Sequence, residues 1–403
     1  MSKRVLIIGA GASKSYGSSP TGYRMPIATD FFSTYSKLEI SENPHVLVGA
    51  VVNYVQRTRG VRPESFGSYE EDIEQLHSEI EDSLEEALRS HNRTESLRLL
   101  STSTQLVFMF VSVINEIQNG PVSPVHVTLA SKLTPEDTIV TFNWDTLLDR
   151  ALAETTKWRP DVGYHLTPMA IYEDGWRACT GAPENVIRYP TILKLHGSTN
   201  WLTSYNVLGD NFKVAFTHDS APDDFFVYVK SDKPYDCYDG RYMPGYTQYS
   251  YGYYPTNLPV RGKPPGEGRV VIMATPRSPF TPKGQYGSDG LVSMPLIIPP
   301  TKHKRYDFYG ELFRKLWKQA EMELSEADEI HVYGYSFPRT DIQSAELMKQ
   351  AFLKRDRIPR VVIVNPAPDA VAERFQLELG VPVSKIEVVR EYMGDSFSFD
   401  GLL

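Results

Sequence analysis

Seven short aliphatic runs punctuate the chain: "RVLII" at 4–8, "TIVTF" at 138–142, "TILKL" at 191–195, "RVVIM" at 269–273, "PLIIP" at 295–299, "EIHVYG" at 329–334 and "RVVIV" at 360–364. Their apolar residues are continuous rather than alternating. That pattern belongs to strands buried on both faces, which suits a parallel sheet with helices covering each side. Amphipathic stretches separate many of the runs: "DTLLDRALAET" after the second, "YGELFRKLWKQAEMELSEA" before the sixth, and "TDIQSAELMKQAFLKR" between the sixth and seventh. The alternation predicts an α/β fold with a Rossmann-like, doubly wound parallel sheet. The 403 residues, 41% of them hydrophobic, suffice for the large core this needs, and the expectation is one domain over 1–403.

Two segments interrupt the alternation. Residues 68–119 read as a helical insertion, acidic in "YEEDIEQLHSEIEDSLEEALRSH" and apolar at helical spacing in "QLVFMFVSVINEI". Residues 204–268 read as a loop-rich insertion in which one stretch holds nine of the 24 tyrosines. Glycine and proline break that stretch repeatedly, against long regular elements. Both insertions are candidate contact surfaces.

The net charge of −8 disfavours direct nucleic-acid binding, which draws on lysine and arginine to neutralise phosphate. Only two cysteines are present, Cys179 and Cys237, so a four-thiolate zinc site within one chain is excluded. No run approaches 18 apolar residues, and the four-residue aliphatic run after the basic N-terminal pair is too short for a secretory signal. These features lead us to expect a cytoplasmic protein with no membrane span.

The chemistry gathers where the runs end. After the first come Gly9 and Gly11 in "GAGAS", a turn that lets backbone N–H groups approach a pyrophosphate. The third glycine of a dinucleotide fingerprint is absent, and a plain tight turn is the competing reading. Asp30 lies near the distance of a ribose-binding acid, although "ATDFF" reads more naturally as a helix start capped by Thr29 or Asp30. After the second run come Asn143, which could instead satisfy loop backbone, and Asp145, which could instead cap the following helix. After the third come His196, a group able to exchange a proton near neutral pH, and Gly197, with Ser198, Thr199 and Asn200 behind. After the sixth come Gly334, Ser336 and Asp341, and after the seventh Asn365. Ligands of open α/β sheets bind at strand carboxyl ends, so these groups together predict a nucleotide-sized polar site.

The ordered set "GAGAS", "TFNWD", "LKLHGS", "GYSFPRTD" and "IVNP" resembles the sirtuin superfamily, and most of all the sirtuin-like NAD-cleaving domains of bacterial antiphage defence proteins. The resemblance spans roughly residues 4–370. It implies NAD as substrate, cleavage of the nicotinamide–ribose bond, and no metal. Gly9, Ala10, Gly11, Ala12 and Ser13 would cradle the diphosphate. Asn143 would orient water or the nicotinamide ribose, Asp145 would hold the carboxamide, and His196 would meet the ribose hydroxyls as general base, with Gly197 allowing close approach. Gly334, Ser336 and Asp341 would line the phosphate and ribose region, and Asn365 the adenosine ribose. The four-cysteine zinc ribbon of deacetylating sirtuins has no counterpart. An NAD glycohydrolase is therefore expected ahead of an NAD-dependent protein deacylase or a non-catalytic NAD or ADP-ribose sensor. Because unregulated NAD cleavage would kill its host, and little chain follows the last core run, the expectation extends to a homo-oligomer controlled by a separately encoded activator. In the resembling families this can be a HerA-type hexameric ATPase acting in abortive infection.

Overall fold

The computed structural model describes all residues except 1, 20, 39–43, 119, 174–175, 180–188, 205, 209, 217–224, 231–292, 300–309 and 339–340. The run at 269–273 and the tyrosine-rich stretch from 231 onward lie outside the described residues. In chain order the strands are β1 (Arg4–Ile8), β2 (Thr138–Thr141), β3 (Ala170–Glu173), β4 (Trp176–Ala178), β5 (Thr191–Lys194), β6 (Gly197–Ser204), β7 (Asn206–Leu208), β8 (Val214–Phe216), β9 (Phe226–Lys230), β10 (Ser293–Ile297), β11 (Glu329–Tyr333), β12 (Arg360–Val364) and β13 (Ile386–Val389). The α-helices are α1 (Ala10–Lys14), α2 (Phe31–Tyr35), α3 (Pro44–Arg59), α4 (Ile73–Arg89), α5 (Arg93–Gln118), α6 (Pro124–Lys132), α7 (Leu147–Thr156), α8 (Pro160–Gly163), α9 (Gly310–Glu326), α10 (Ile342–Leu353) and α11 (Asp369–Glu373).

Six strands form a parallel sheet in the order β13-β12-β11-β1-β2-β5. Helices cover it, so that Val5 to Ile8, Ile139, Val140, Ile330, Val332 and Val361 to Val364 are almost wholly buried. This is the doubly wound α/β architecture expected from the continuous apolar runs. β1 is central: the chain builds β2 and β5 on one side of it and β11, β12 and β13 on the other. The reversal of direction opens a crevice at the carboxyl ends of the strands.

One run goes elsewhere. Residues 295–299 were expected in the parallel sheet. Instead β10 pairs antiparallel with β6 in a second sheet, ordered β10-β6-β9-β3-β4. Full burial on both faces makes such a strand indistinguishable from a parallel one by composition. Only Leu195 and His196 separate β5 from β6, and Gly197 makes the turn between sheets with φ +77°. A Cβ there would lie 2.2 Å from the Leu296 carbonyl oxygen, so only glycine fits.

The helical layer begins upstream of residue 68, since α3 packs on α5 and α4 packs on it too. Asp72 caps α4 by accepting from the N–H groups of Glu74 and Gln75. By length and composition α5 could cross a bilayer, yet 78% of its apolar window is buried inside the protein. It is the core helix of a second apolar cluster that includes Phe31, Ile73 and Phe110 and reaches Leu147 and Ile297 of the sheet body.

Candidate active site

A cleft of about 400 Å³ lies along the carboxyl edge of the parallel sheet, a size ordinary for a small-molecule site. Of the residues singled out in the sequence, Ala10, Gly11, Ser13, Asn143, Asp145, His196, Gly334, Ser336, Asp341 and Asn365 line it. Gly9, Ala12 and Gly197 do not. They serve the walls instead.

The glycines of the first turn hold two loops together. Gly11 N–H donates to the Gly334 carbonyl (2.9 Å), Gly9 N–H to Tyr333 O (3.0 Å) and Ala12 N–H to Gly9 O (3.0 Å). A Cβ on Gly9 would come 2.5 Å from Tyr335 Cα, and one on Gly334 2.3 Å from Ala12 N. Three N–H groups expected to cradle a diphosphate are therefore already spent within the protein. The glycine spacing is needed first because the exits of β1 and β11 touch.

The loop after β2 is pinned from several sides. Asn143 Nδ2 donates to Gly9 O (2.9 Å) and to Ser13 Oγ (2.8 Å). Gly9 O can only accept, which fixes the amide orientation. Both amide hydrogens are thus used, and Asn143 meets a ligand as an acceptor through Oδ1. Ser13 Oγ donates in turn to Asp145 Oδ2 (2.6 Å), so its hydrogen serves Asp145 and not a phosphate. Asp145 Oδ1 accepts from Leu147 N–H (3.1 Å) in a turn just before α7, whose N-cap position is Thr146 and not Asp145. The carboxylate keeps further lone pairs for a ligand, because two oxygens offer about four acceptor sites.

Beneath the loop, Lys194 is 1% exposed. Its ammonium donates to the Asp145 carbonyl (2.5 Å) and to Asp149 Oδ2 (3.2 Å), and Tyr164 donates its hydroxyl to Asp149 as well. Gln118 accepts from Thr146 N–H (2.8 Å) and donates to Thr199 Oγ1 (3.1 Å). Ser198 and Thr199, read in the sequence as neighbours of a ligand, are fully buried in β6, and both bond the Trp144 carbonyl.

His196 is held in an aromatic box. Its ring lies 5.7 Å from that of Trp144 in a stacked arrangement and 5.2 Å from that of Phe142 edge-on. Its Nε2 faces Asp341 Oδ2 at 3.8 Å. Asp341 also caps α10 through Ser344 N–H (3.3 Å) and accepts from the Tyr335 hydroxyl (3.2 Å). Asp341 was expected only among groups lining the ligand; the structure sets it against the imidazole.

Asp30 does not reach the cleft. Its Oδ1 accepts from Ile27 N–H (2.6 Å), and its Oδ2 lies 3.6 Å from Lys14 Nζ. Several lining groups were missed in the sequence: Met25, Ile27, Phe31, Phe110 and Ile114 make an apolar wall, and Glu391 and Tyr392 stand at the opposite end. The helical periodicity of α5 announced a buried face, but only packing on the sheet assigns Phe110 and Ile114 to a cleft. Among the described residues no cluster of His, Cys, Asp or Glu is gathered that could hold a metal ion.

No family model matches the chain, and no curated protein matches its sequence. Solved structures do. A structure titled "Structural Basis for the Mechanism and Regulation of Sir2 Enzymes" is 13% identical, with 98% of this chain and 89% of that chain covered and a TM-score of 0.37. A Sir2 homologue–NAD complex is 14% identical, covering 98% and 86%, at 0.30. A point mutant of a Sir2 homologue with ADP-ribose is 14% identical, covering 98% and 88%, at 0.33. Likeness at this level carries no residue correspondence.

Proposed function

We propose that the protein is an NAD glycohydrolase, cleaving NAD to nicotinamide and ADP-ribose. The observation that carries this reading is the convergence of His196, Asn143 and Asp145 in one cleft that also holds the glycine turn and an apolar wall. The motif resemblance stated above supplies the substrate.

In this reading the nicotinamide ring sits against Met25, Ile27, Phe31, Phe110 and Ile114, with its carboxamide N–H donating to Asp145. The C–N bond to ribose breaks and nicotinamide leaves with the electron pair. The ribose is left as an oxocarbenium-like species, which water captures at C1′ as a proton is released. Asn143 Oδ1 accepts a hydrogen of that water and orients it. His196 accepts from a ribose hydroxyl, with Asp341 stabilising positive charge on the imidazole. Prior fixation of these groups is what lowers such a barrier. The bonds from Lys194, Gln118 and Ser13 supply that fixation.

Control of the activity is assigned to homo-oligomerisation and a separately encoded activator, such as a HerA-type ATPase in antiphage defence. The test is nicotinamide release from NAD by the purified chain, alone and with its candidate activator, beside His196→Ala and Asn143→Ala. Release abolished by both substitutions supports the reading. A chain that neither binds NAD nor releases nicotinamide under either condition overturns it.

A further inference from the structure

The parallel sheet ends in β13. On one side β13 pairs with β12, Ile386 to Val389 standing beside Val361 to Val364. Among the described residues no strand pairs with its other side. One bond fixes the direction of every backbone group along it: Asn365 N–H donates to the Val389 carbonyl (3.1 Å). The N–H and C=O of one strand residue point to the same side, and successive residues alternate. Glu387 and Val389 therefore face β12. Ile386, Val388 and, by continuation, Arg390 turn their N–H and C=O groups outward.

We propose that this edge binds the same edge of a second copy of the chain, antiparallel about a two-fold axis at Val388, so that two six-stranded sheets join into one. The inference rests on the homo-oligomer proposed above and gives it a surface. Hydrogen bonding and charge select the register together. Antiparallel strands exchange bonds between outward-facing residues that stand opposite one another, so the axis passes through a residue and not between two. An axis at 387 sets Glu387 against Glu387, and one at 389 sets Glu387 against Glu391. Like charges directly opposite are destabilising. The axis at 388 sets Val388 against itself and Ile386 against Arg390, with about six hydrogen bonds. It also sets Lys385 against Glu391 twice, flanking the paired strands where long side chains reach across.

The side chains agree with this register. Glu387 and Arg390 are held within their own chain, Glu387 by Arg360 (2.6 Å) and Arg390 by Asp369 (2.9 Å). Lys385 and Glu391 have no ion-pair partner among the described residues. Val388 is 42% exposed, and Val383 just upstream 65%. Charge at the middle of a free edge is a common guard against pairing; here a valine occupies the middle. The surface is self-complementary, as two-fold association requires. It also reaches the cleft. β13 runs with its carboxyl end toward the cleft, which Glu391 lines. An antiparallel second copy therefore delivers its own Lys385 to that lip, and the two clefts face opposite ways.

The experiment is sedimentation velocity over a concentration series for the wild type, K385E, E391K, the double variant K385E/E391K and V388P. The wild type is expected to dimerise, alone or as the unit of a larger even-numbered assembly. Each single charge reversal sets like charges opposite one another twice and should weaken dimerisation at least about tenfold. The double variant, with the charges exchanged, should recover most of that loss. V388P removes an outward N–H and leaves the β12 ladder intact, so it should give a monomer with wild-type circular dichroism. If V388P does not fold, the charge reversals decide alone. A wild type that is monomeric at every concentration overturns this inference together with the homo-oligomer reading. A wild-type dimer that the single reversals leave unweakened, or that the double variant does not recover, overturns the β13 surface and leaves the homo-oligomer standing. Neither arm reads nicotinamide release, so NAD cleavage stands or falls separately.

Discussion

His196 Nε2 and Asp341 Oδ2 stand 3.8 Å apart although 145 positions separate them in the chain. The two arrive from opposite sides of the central strand, His196 beyond β5 and Asp341 beyond β11. Both are buried, and Asp341 is at once the cap of α10 and the carboxylate facing the imidazole.

That double duty can be separated. Asp341→Asn keeps a capping oxygen and is expected to leave thermal stability within about 0.5 kcal/mol of wild type, since asparagine caps as well as aspartate. Nicotinamide release should fall by about 10- to 100-fold as imidazolium loses its counter-charge. Asp341→Ala adds a loss of about 1 kcal/mol for the cap. A thermal melt beside the release assay checks both. An Asn variant of full activity would remove Asp341 from the mechanism.

Asn143→Asp probes the amide network. The substitution turns the donor to Gly9 O and Ser13 Oγ into an acceptor-only group against an acceptor carbonyl in a buried site. Chemical denaturation should show a loss of about 2–4 kcal/mol. Asn143→Ala should cost less stability and still abolish release.

Gly334 and Gly22 make a paired test of the turn. Both have positive φ, +60° and +73°, but a Cβ on Gly334 collides with Ala12 N while one on Gly22 meets nothing within 4 Å. Gly22→Ala is expected to cost about 1 kcal/mol, the conformational term alone. Gly334→Ala should cost more than about 3 kcal/mol and disrupt the cleft, because backbone must move. Equal effects in a denaturant titration would contradict the close approach of the two loops.

Lys194→Met leaves Asp149 buried without its cation, for an expected loss of about 3–5 kcal/mol. Combining it with Asp149→Leu should recover part of that loss, so a double-mutant cycle gives a coupling energy well above 1 kcal/mol. Additive effects would show that the ion pair under Asp145 carries no mutual stabilisation.

Acid should destabilise the fold through its buried histidines. Burial holds both His126 and His331 down at about 4, below the unfolded value of about 6.5. Unfolding therefore takes up protons between these limits, and stability is lost as pH falls from 6.5 toward 4. From pH 7 to pH 5 His331 contributes a loss of about 2 kcal/mol, and His126 adds a loss of the same sign. Denaturant titrations at pH 7 and pH 5 measure the sum, and His331→Leu should flatten the dependence by about one histidine's share.

Where most of the parallel strands run, and which polar groups sit at their ends, is legible in the amino-acid order alone. Those signals are local: a strand buried on both faces must be apolar throughout, and the turn after it must be polar or glycine. β1, β2, β5, β11 and β12 were legible for that reason, and with them Asn143, Asp145, His196, Ser336 and Asn365 as cleft residues. What each group is free to do follows from packing between distant segments. Whether Ser13 offers its hydrogen to a ligand depends on Asp145, 132 positions away, and whether a glycine N–H can bind a phosphate depends on the loop after β11. The same holds for β10, sent to a second sheet by pairing with β6, and for Asp30, whose neighbours withdraw it while Glu391 enters from beyond β13. Hydrogen-bond commitments and cleft membership follow from strand order, and strand order arises from long-range pairing that leaves no trace in the periodicity of the residues that pair.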